Sequence, residues 1–131
     1  MRQMKGYHTD IEEQTLSNTN FRKVLFTGKH TQLVVMSLKP GEEIGLEVHN
    51  NLDQFFRIEK GKAKIIIDKE EFEAEDNDVI IVEGGSEHNI INISETDVLK
   101  LYTLYSPPNH PKGTIHKTKS EADKAELAEH T

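Results

Sequence analysis

The feature that most constrains the fold is a series of short β-rich runs, which turn residues interrupt about every 8–12 residues. Gly, Asn, Asp and Pro separate runs that are rich in Val, Ile, Leu and Phe. The predicted strands are Phe21–Thr27, Thr31–Leu38, Ile44–His49, Gln54–Glu59, Lys64–Asp68, Glu71–Glu75, Val79–Val82, His88–Ile93 and Val98–Tyr105. No long amphipathic helix lies between them, which argues against βαβ units. The pattern therefore predicts an all-β sandwich or barrel of about nine or ten strands.

The sequence changes character at both ends of this region, so we divide the chain into three parts. Residues 1–20 are an N-terminal segment, residues 21–106 form the barrel, and residues 107–131 form an extended tail with a short helix. Prolines follow Ser106 closely and cannot lie in a central strand, because proline lacks the backbone N–H of the ladder. Ser120, followed three residues later by Asp123, resembles a capping box and predicts a helix from about Glu121 to Glu129.

Composition excludes several classes of partner. The net charge of −7 argues against binding to nucleic acid or to an anionic membrane surface, both of which attract basic proteins. The absence of cysteine excludes disulfides and thiolate metal sites. The N-terminus lacks the apolar stretch of a signal peptide, and no run approaches the roughly 20 apolar residues of a membrane span. We therefore expect a single-domain cytoplasmic protein.

Alternation along the strands brings certain polar side chains to one face. Residues two apart on a strand point the same way, so Glu47 and His49 share a face. Across the following turn, Gln54 points opposite to Asp53, and His88 opens a later strand. We expect Asp53, although it is the acid closest in sequence to His49, to point away from the barrel interior.

Two segments of the chain resemble the two sequence motifs of the cupin family. In the first, Gly41, His49 and Gly61 are in register, with Glu47 at the place of the first His and Gln54 at the place of the Glu. The second segment is similar at Gly85, His88 and Asn92, with Asn77 at its opening glycine and Glu83 at its proline. The flanking sequence resembles small bacterial cupins labelled mannose-6-phosphate-isomerase-like. This resemblance implies a cupin jelly-roll β-barrel with a short C-terminal helix and a divalent metal at its centre.

The resemblance implies Glu47, His49, Gln54 and His88 as the metal ligands. Carboxylate, imidazole and amide oxygen all suit a divalent Zn, Mn, Fe or Ni ion, and the set carries one negative charge, as does the family's set of three His and one Glu. The neutral amide is a weaker donor than the carboxylate that it replaces. The alternative is a hydrogen-bonded polar pocket that holds water and no metal.

Several functions are compatible with this site. A metal-dependent isomerase or dioxygenase acting on a small polar or carbohydrate-like ligand is one, and a non-catalytic binding module or a metal-free structural dimer is the alternative. Arg57 is expected to face outward, so only a lysine could bind a phosphate group in the site. Because phosphate recognition prefers Arg or Lys and no inward arginine is expected, a sugar phosphate is a less favoured substrate. His110 and His116 are expected to be solvated, with a lid over the barrel mouth as the alternative.

Resemblance to small cupins also implies a homodimer. An apolar outer face that a lone barrel leaves exposed would form the contact between the two copies. The sequence suggests Phe55, Ile65 and Ile67 as members of that face. Tyr102 and Tyr105 lie three apart on one strand, so only one of them can point into the barrel.

Overall fold

A computed structural model describes residues 5–129 of the chain, with side chains up to residue 127. Residues 1–4 of the predicted N-terminal segment and residues 130–131 of the predicted tail lie outside this range. The described chain forms ten strands between two helices. In chain order, the elements are α1 (Ile11–Ser17), β1 (Arg22–Thr27), β2 (Gln32–Leu38), β3 (Glu47–Val48), β4 (Asp53–Lys60), β5 (Lys62–Ile67), β6 (Glu70–Glu75), β7 (Val79–Val82), β8 (Glu87–Asn92), β9 (Leu99–Ser106), β10 (Ile115–His116) and α2 (Lys119–Glu129).

The strands form two antiparallel sheets that face each other. The first sheet has the order β10-β1-β2-β9-β4-β7, and the second has the order β3-β8-β5-β6. Their inner faces bury one apolar core, which includes Val34, Met36, Phe56, Ile90 and Leu101. The predicted all-β jelly-roll barrel with a short C-terminal helix is therefore confirmed. Within the described range, neither helix has the length and apolar character to cross a membrane.

Strand β4 has the predicted alternation. Gln54 and Phe56 are buried, whereas Asp53 is exposed and its Oδ1 accepts a hydrogen bond from the Gly84 N–H at 2.9 Å. Gln54 pairs across the sheet with Tyr105, which is buried in the interior. Of the two tyrosines on β9, Tyr105 is thus the one that points inward.

The helix α1 was not predicted from the sequence. Asp10 caps it, because its Oδ1 accepts a hydrogen bond from the Glu13 N–H at 3.1 Å. The helix packs against β2, β4 and β9 and buries Thr15 completely. Asp10 and Glu13 have the spacing of a capping box, the signal that predicted α2, but a helix of seven residues is too short to show clear periodicity.

The prediction that Ile65 belongs to an exposed outer face is wrong. Its side chain is 1% exposed and lies in the core. Ile67 shares this inner face and packs against the core in part. Three consecutive isoleucines on β5 conceal the alternation, so the sequence did not show which of them point inward.

Two positions of the motifs have backbone requirements that the structure explains. Gly61 has a φ of 123°, and a Cβ atom there would lie 3.2 Å from the Cα atom of Leu99. Asn77, at the place of the opening glycine of the second motif, has a φ of 74°. Asparagine tolerates this left-handed conformation better than other residues with a side chain, so the turn is retained without the glycine.

Candidate metal centre

Glu47, His49 and His88 meet at one end of the barrel. Strand β3 pairs with β8 so that Glu47 lies directly opposite His88, and His49 follows two residues after Glu47 on the same face. One ligand atom from each of the three residues lies within 4.8 Å of the other two. The sheet register therefore brings together two residues from the first motif and one from the second.

Glu47 and His49 are joined by a short hydrogen bond. The Nε2 atom of His49 lies 2.6 Å from Oε2 of Glu47, and both side chains are largely buried. Burial by itself would raise the pKa of Glu47, but the hydrogen bond from His49 and the charges of His49 and Arg22 outweigh it. The pKa of Glu47 consequently lies below its ordinary value, and the residue is a carboxylate at neutral pH.

His88, the second residue of β8, is oriented by the backbone of the loop that precedes this strand. It is 3% exposed, and its Nδ1 atom lies 3.2 Å from the carbonyl oxygen of Ser86. Because a carbonyl oxygen only accepts, Nδ1 carries the proton, and Nε2 retains the lone pair that a metal requires. Burial lowers the pKa of His88 and keeps the ring neutral.

Gln54 supplies a buried acceptor that no other group in the described part of the chain satisfies. The side chain is 3% exposed, and its Nε2 atom donates to Oγ1 of Thr103 at 3.0 Å. Its Oε1 atom is buried and has no hydrogen-bond partner. An unsatisfied buried acceptor is costly, and an amide oxygen is an acceptable ligand for a divalent ion. The group of Glu47, His49 and His88 therefore fits a metal ion, and Gln54 has an unpaired acceptor on the inner face of β4.

An arginine, contrary to the expectation from the sequence, lies beside this centre. Arg22 is 4% exposed and lines a cavity of about 260 Å³ that also contacts Glu47 and His49. It shares the inner face of β1 with the buried Val24. That alternation was visible in the sequence, but an arginine between apolar residues was not recognised as an interior side chain.

The C-terminal segment, residues 107–127 of the described chain, covers the same cavity. Asn109, His110 and His116 all line it, and β10 joins the six-stranded sheet beside β1. The expectation that His110 and His116 are solvated is wrong, and the alternative of a lid over the barrel mouth describes their position. Neither residue could be placed from local sequence, because the contacts that hold them come from distant strands.

His110 is held between a strand and a buried glutamine. Its Nε2 atom lies 3.2 Å from the hydroxyl of Tyr105, and its backbone N–H donates to Oε1 of Gln32 at 2.9 Å. Burial and the nearby charge of Arg22 lower the pKa of His110 to about 3, so the ring is neutral at physiological pH. Burial raises the pKa of Tyr105, whose hydroxyl stays protonated.

Comparisons with known proteins agree with this architecture. A family model described as a cupin domain matches residues 34–105. The chain is 46% identical to the uncharacterized protein YrkC of Bacillus subtilis (strain 168), with 93% of this chain and 68% of that protein covered. It is 45% identical to an uncharacterized protein of Acanthamoeba polyphaga mimivirus, with 86% and 72% covered.

A solved structure shows the same fold over nearly the whole chain. The crystal structure of BH2720 from Bacillus halodurans superposes with a TM-score of 0.88 at 40% identity, and covers 90% of this chain and 93% of its own. The match of the family model spans more than half of the sequence and includes both motifs. The chain belongs to the cupin family.

Proposed function

We propose that this protein binds a divalent metal ion through Glu47, His49, His88 and the amide oxygen of Gln54, and that it binds a small polar ligand beside the ion. The convergence of three ligand atoms within 4.8 Å is the observation that carries this proposal. The unsatisfied Oε1 atom of Gln54 supports a fourth ligand from the inner face of β4. Zn, Mn, Fe and Ni all accept this mixture of nitrogen and oxygen donors.

The protonation of these residues supports metal binding. A ligand must be deprotonated on the atom that binds, and His88 has its lone pair on Nε2 because Nδ1 donates to Ser86. The proton between Nε2 of His49 and Glu47 occupies the place where an ion would bind, so metal binding would displace it from that nitrogen. The single carboxylate reduces the charge of a divalent ion in the barrel from two to one.

When bound, a divalent ion acts as a Lewis acid that polarises an oxygen of the ligand. The chain itself provides the rest of the site. Arg22 supplies a buried cation, Tyr105 holds His110 in place, and the C-terminal segment limits access of water. A metal-dependent isomerase or dioxygenase would use these features. A sugar-phosphate isomerase, which the resemblance to mannose-6-phosphate-isomerase-like cupins implies, is included in this proposal. The sequence suggested that no arginine faces the site, and the position of Arg22 removes this argument against a phosphate ligand.

A non-catalytic binding module is the second candidate function. It is favoured by the state of the titratable groups in the site, which are paired with each other or are weak bases. Glu47 is paired with His49, while His110, with a pKa of about 3, is a weak base at neutral pH. Such a site can bind and orient a ligand without exchanging protons with it.

Metal analysis of the purified protein tests the proposal. We expect close to one divalent ion per chain after loading and desalting, and a rise in melting temperature with Zn, Mn or Ni relative to chelator. His88→Ala should lower metal affinity by at least about ten-fold, whereas His30→Ala, at an exposed position, should leave it unchanged. A wild-type protein that retains no metal and shows no thermal response would refute the proposal.

We also propose that two copies of the chain associate through the outer face of the six-stranded sheet. A location in the cytoplasm is part of this proposal, because a sequence without cysteine suits a reducing compartment. Strand β7 is an edge strand, and its Val79 and Ile81 are 50% and 62% exposed. Ile81 pairs with Phe55, so these apolar side chains form one patch on the outer face. Burial of such a patch against a second copy removes apolar surface from water.

A further inference from the structure

The guanidinium of Arg22 is a buried charge that the described residues satisfy only in part. The side chain is 4% exposed, yet its Nε atom has no hydrogen-bond partner among the described residues. Its Nη1 atom lies 3.3 Å from Nδ1 of His116, which must act as the acceptor because the guanidinium only donates. Removing a guanidinium from water is costly unless charged or polar partners replace the water.

Arg22 and two of the proposed metal ligands, Glu47 and His49, line one cavity. Its lining also includes Asn109, His110 and His116 of the C-terminal segment. The volume of about 260 Å³ suits a molecule of a few heavy atoms. A ligand in this cavity can therefore contact both Arg22 and the two ligand residues of the candidate metal centre.

The charges around the cavity favour an anion. Among the described residues that line the cavity, Arg22 is positive and the carboxylates are Glu47 and Glu126 of α2. With a divalent ion at the metal centre, the sum of these charges is one positive charge. The imidazole of His110 is neutral and adds hydrogen-bonding capacity without charge. A ligand with a single negative charge would make the occupied cavity neutral.

We propose that the cavity binds a small organic carboxylate, with the carboxylate paired to Arg22 and a second oxygen directed to the metal centre. The planar guanidinium matches a carboxylate through two parallel hydrogen bonds, which an isolated ammonium cannot form. The contact with the metal rests on the function proposed above. The pairing with Arg22 is a separate contact, which the charge of the metal would strengthen.

Lactate and lactamide are suitable probes, because they have nearly the same shape and differ in charge. Calorimetry with the metal-loaded wild type should show lactate binding at least about ten-fold more tightly than lactamide. Arg22→Gln should abolish this preference. Arg22→Lys, which keeps the charge but loses the planar donor pair, should weaken lactate binding by about ten-fold while metal affinity changes by less than about two-fold.

Arg57→Gln is the matched control, since Arg57 lies on the outer face and its Nη2 atom donates to Asn77. It should retain the full preference for lactate. Circular dichroism would show whether each variant is folded, and Arg22→Lys provides the test if Arg22→Gln does not fold. Inorganic phosphate tests whether the cavity prefers a phosphate to a carboxylate. Tighter binding of phosphate than of lactate would overturn the assignment to carboxylates.

The same titrations in chelator separate this proposal from the proposed metal site. A preference for lactate that disappears in Arg22→Gln but is the same with and without metal would support the Arg22 subsite and refute the metal contact. Equal binding of lactate and lactamide by the wild type, or a preference that survives in Arg22→Gln, would overturn the subsite even if the metal is present.

Discussion

The side chain of Gln32 is bonded to both backbone polar groups of His110. Its Oε1 atom accepts from the His110 N–H at 2.9 Å, and its Nε2 atom donates to the His110 carbonyl oxygen at 2.7 Å. Oε1 also accepts from the Asn109 N–H at 3.1 Å. Gln32 is fully buried on β2, so it fixes the C-terminal segment over the barrel mouth.

Gln32→Leu should therefore destabilise the protein by about 2 kcal/mol, because it leaves buried backbone groups of the C-terminal segment without partners. Urea denaturation measures this change, and amide hydrogen exchange should accelerate at Asn109 and His110. Asn51→Leu, at an exposed turn position, is the control and should change stability by less than about 0.5 kcal/mol. An equally small effect of Gln32→Leu would show that the segment does not depend on this residue.

Gln54→Glu should increase metal affinity, since a carboxylate is a stronger ligand than an amide oxygen of nearly the same volume. Without metal, the new carboxylate lies near Glu47, and the repulsion should lower stability at neutral pH. Melting temperatures in Ni and in chelator should thus differ more for the variant than for the wild type. An equal metal response in the two proteins would place Gln54 outside the metal centre.

Asp53→Asn is the matched control for that experiment. Asp53 neighbours Gln54 on β4 but is exposed and accepts its hydrogen bond from Gly84. The variant should bind metal as the wild type does. Loss of metal on Asp53→Asn, together with retention on Gln54→Ala, would contradict the orientation of β4 in the site.

Acidification should lower the free energy of unfolding, because His110 is neutral in the folded protein. The pKa of His110 is about 3 in the folded protein against about 6.5 when unfolded, so protons bind the unfolded chain more tightly. The stabilising contribution is complete above about pH 6.5 and is lost as the pH falls from there towards 3. The titratable and charged groups around His110 are Arg22, His116, Glu47, His49 and Tyr105, which His110→Gln leaves in place.

Between about pH 7.5 and 5.5, the wild type should lose about 1 kcal/mol more than His110→Gln in free energy of unfolding. Denaturation by urea at the two pH values gives this difference. Groups other than His110 contribute to both proteins and cancel to a first approximation. Parallel pH profiles for the two proteins would mean that His110 does not remain neutral in the folded state.

Ile81→Asp should convert the proposed dimer into a monomer without unfolding it, because Ile81 is 62% exposed on an edge strand. Light scattering at micromolar concentration measures the change in mass. Ile115→Asp is the control, as Ile115 is also exposed but lies on β10 at the opposite edge of the same sheet. A monomeric wild type would contradict the proposed association.

The local sequence was enough to predict β1 to β9 and the direction of most side chains on them, whereas β10 lies in the segment that was predicted as an extended tail. Side chains alternate along any strand, so Gln54 could be directed inward and Asp53 outward, and Glu47 and His49 onto one face, without knowledge of the tertiary structure. Where alternation was hidden, as in the isoleucine run that contains Ile65, the prediction failed.

Only the tertiary structure decided what covers the barrel mouth. Gln32 and His110 are separated by 78 positions in the chain, and Arg22 and His116 by 94. Such contacts depend on which strands become neighbours, and no local pattern of polar and apolar residues encodes that choice. Residue periodicity therefore predicted that Glu47 and His49 share a face, and the resemblance to the cupin motifs implied the candidate ligands, whereas the cavity beside them is formed by packing of the C-terminal segment against β1 and β2.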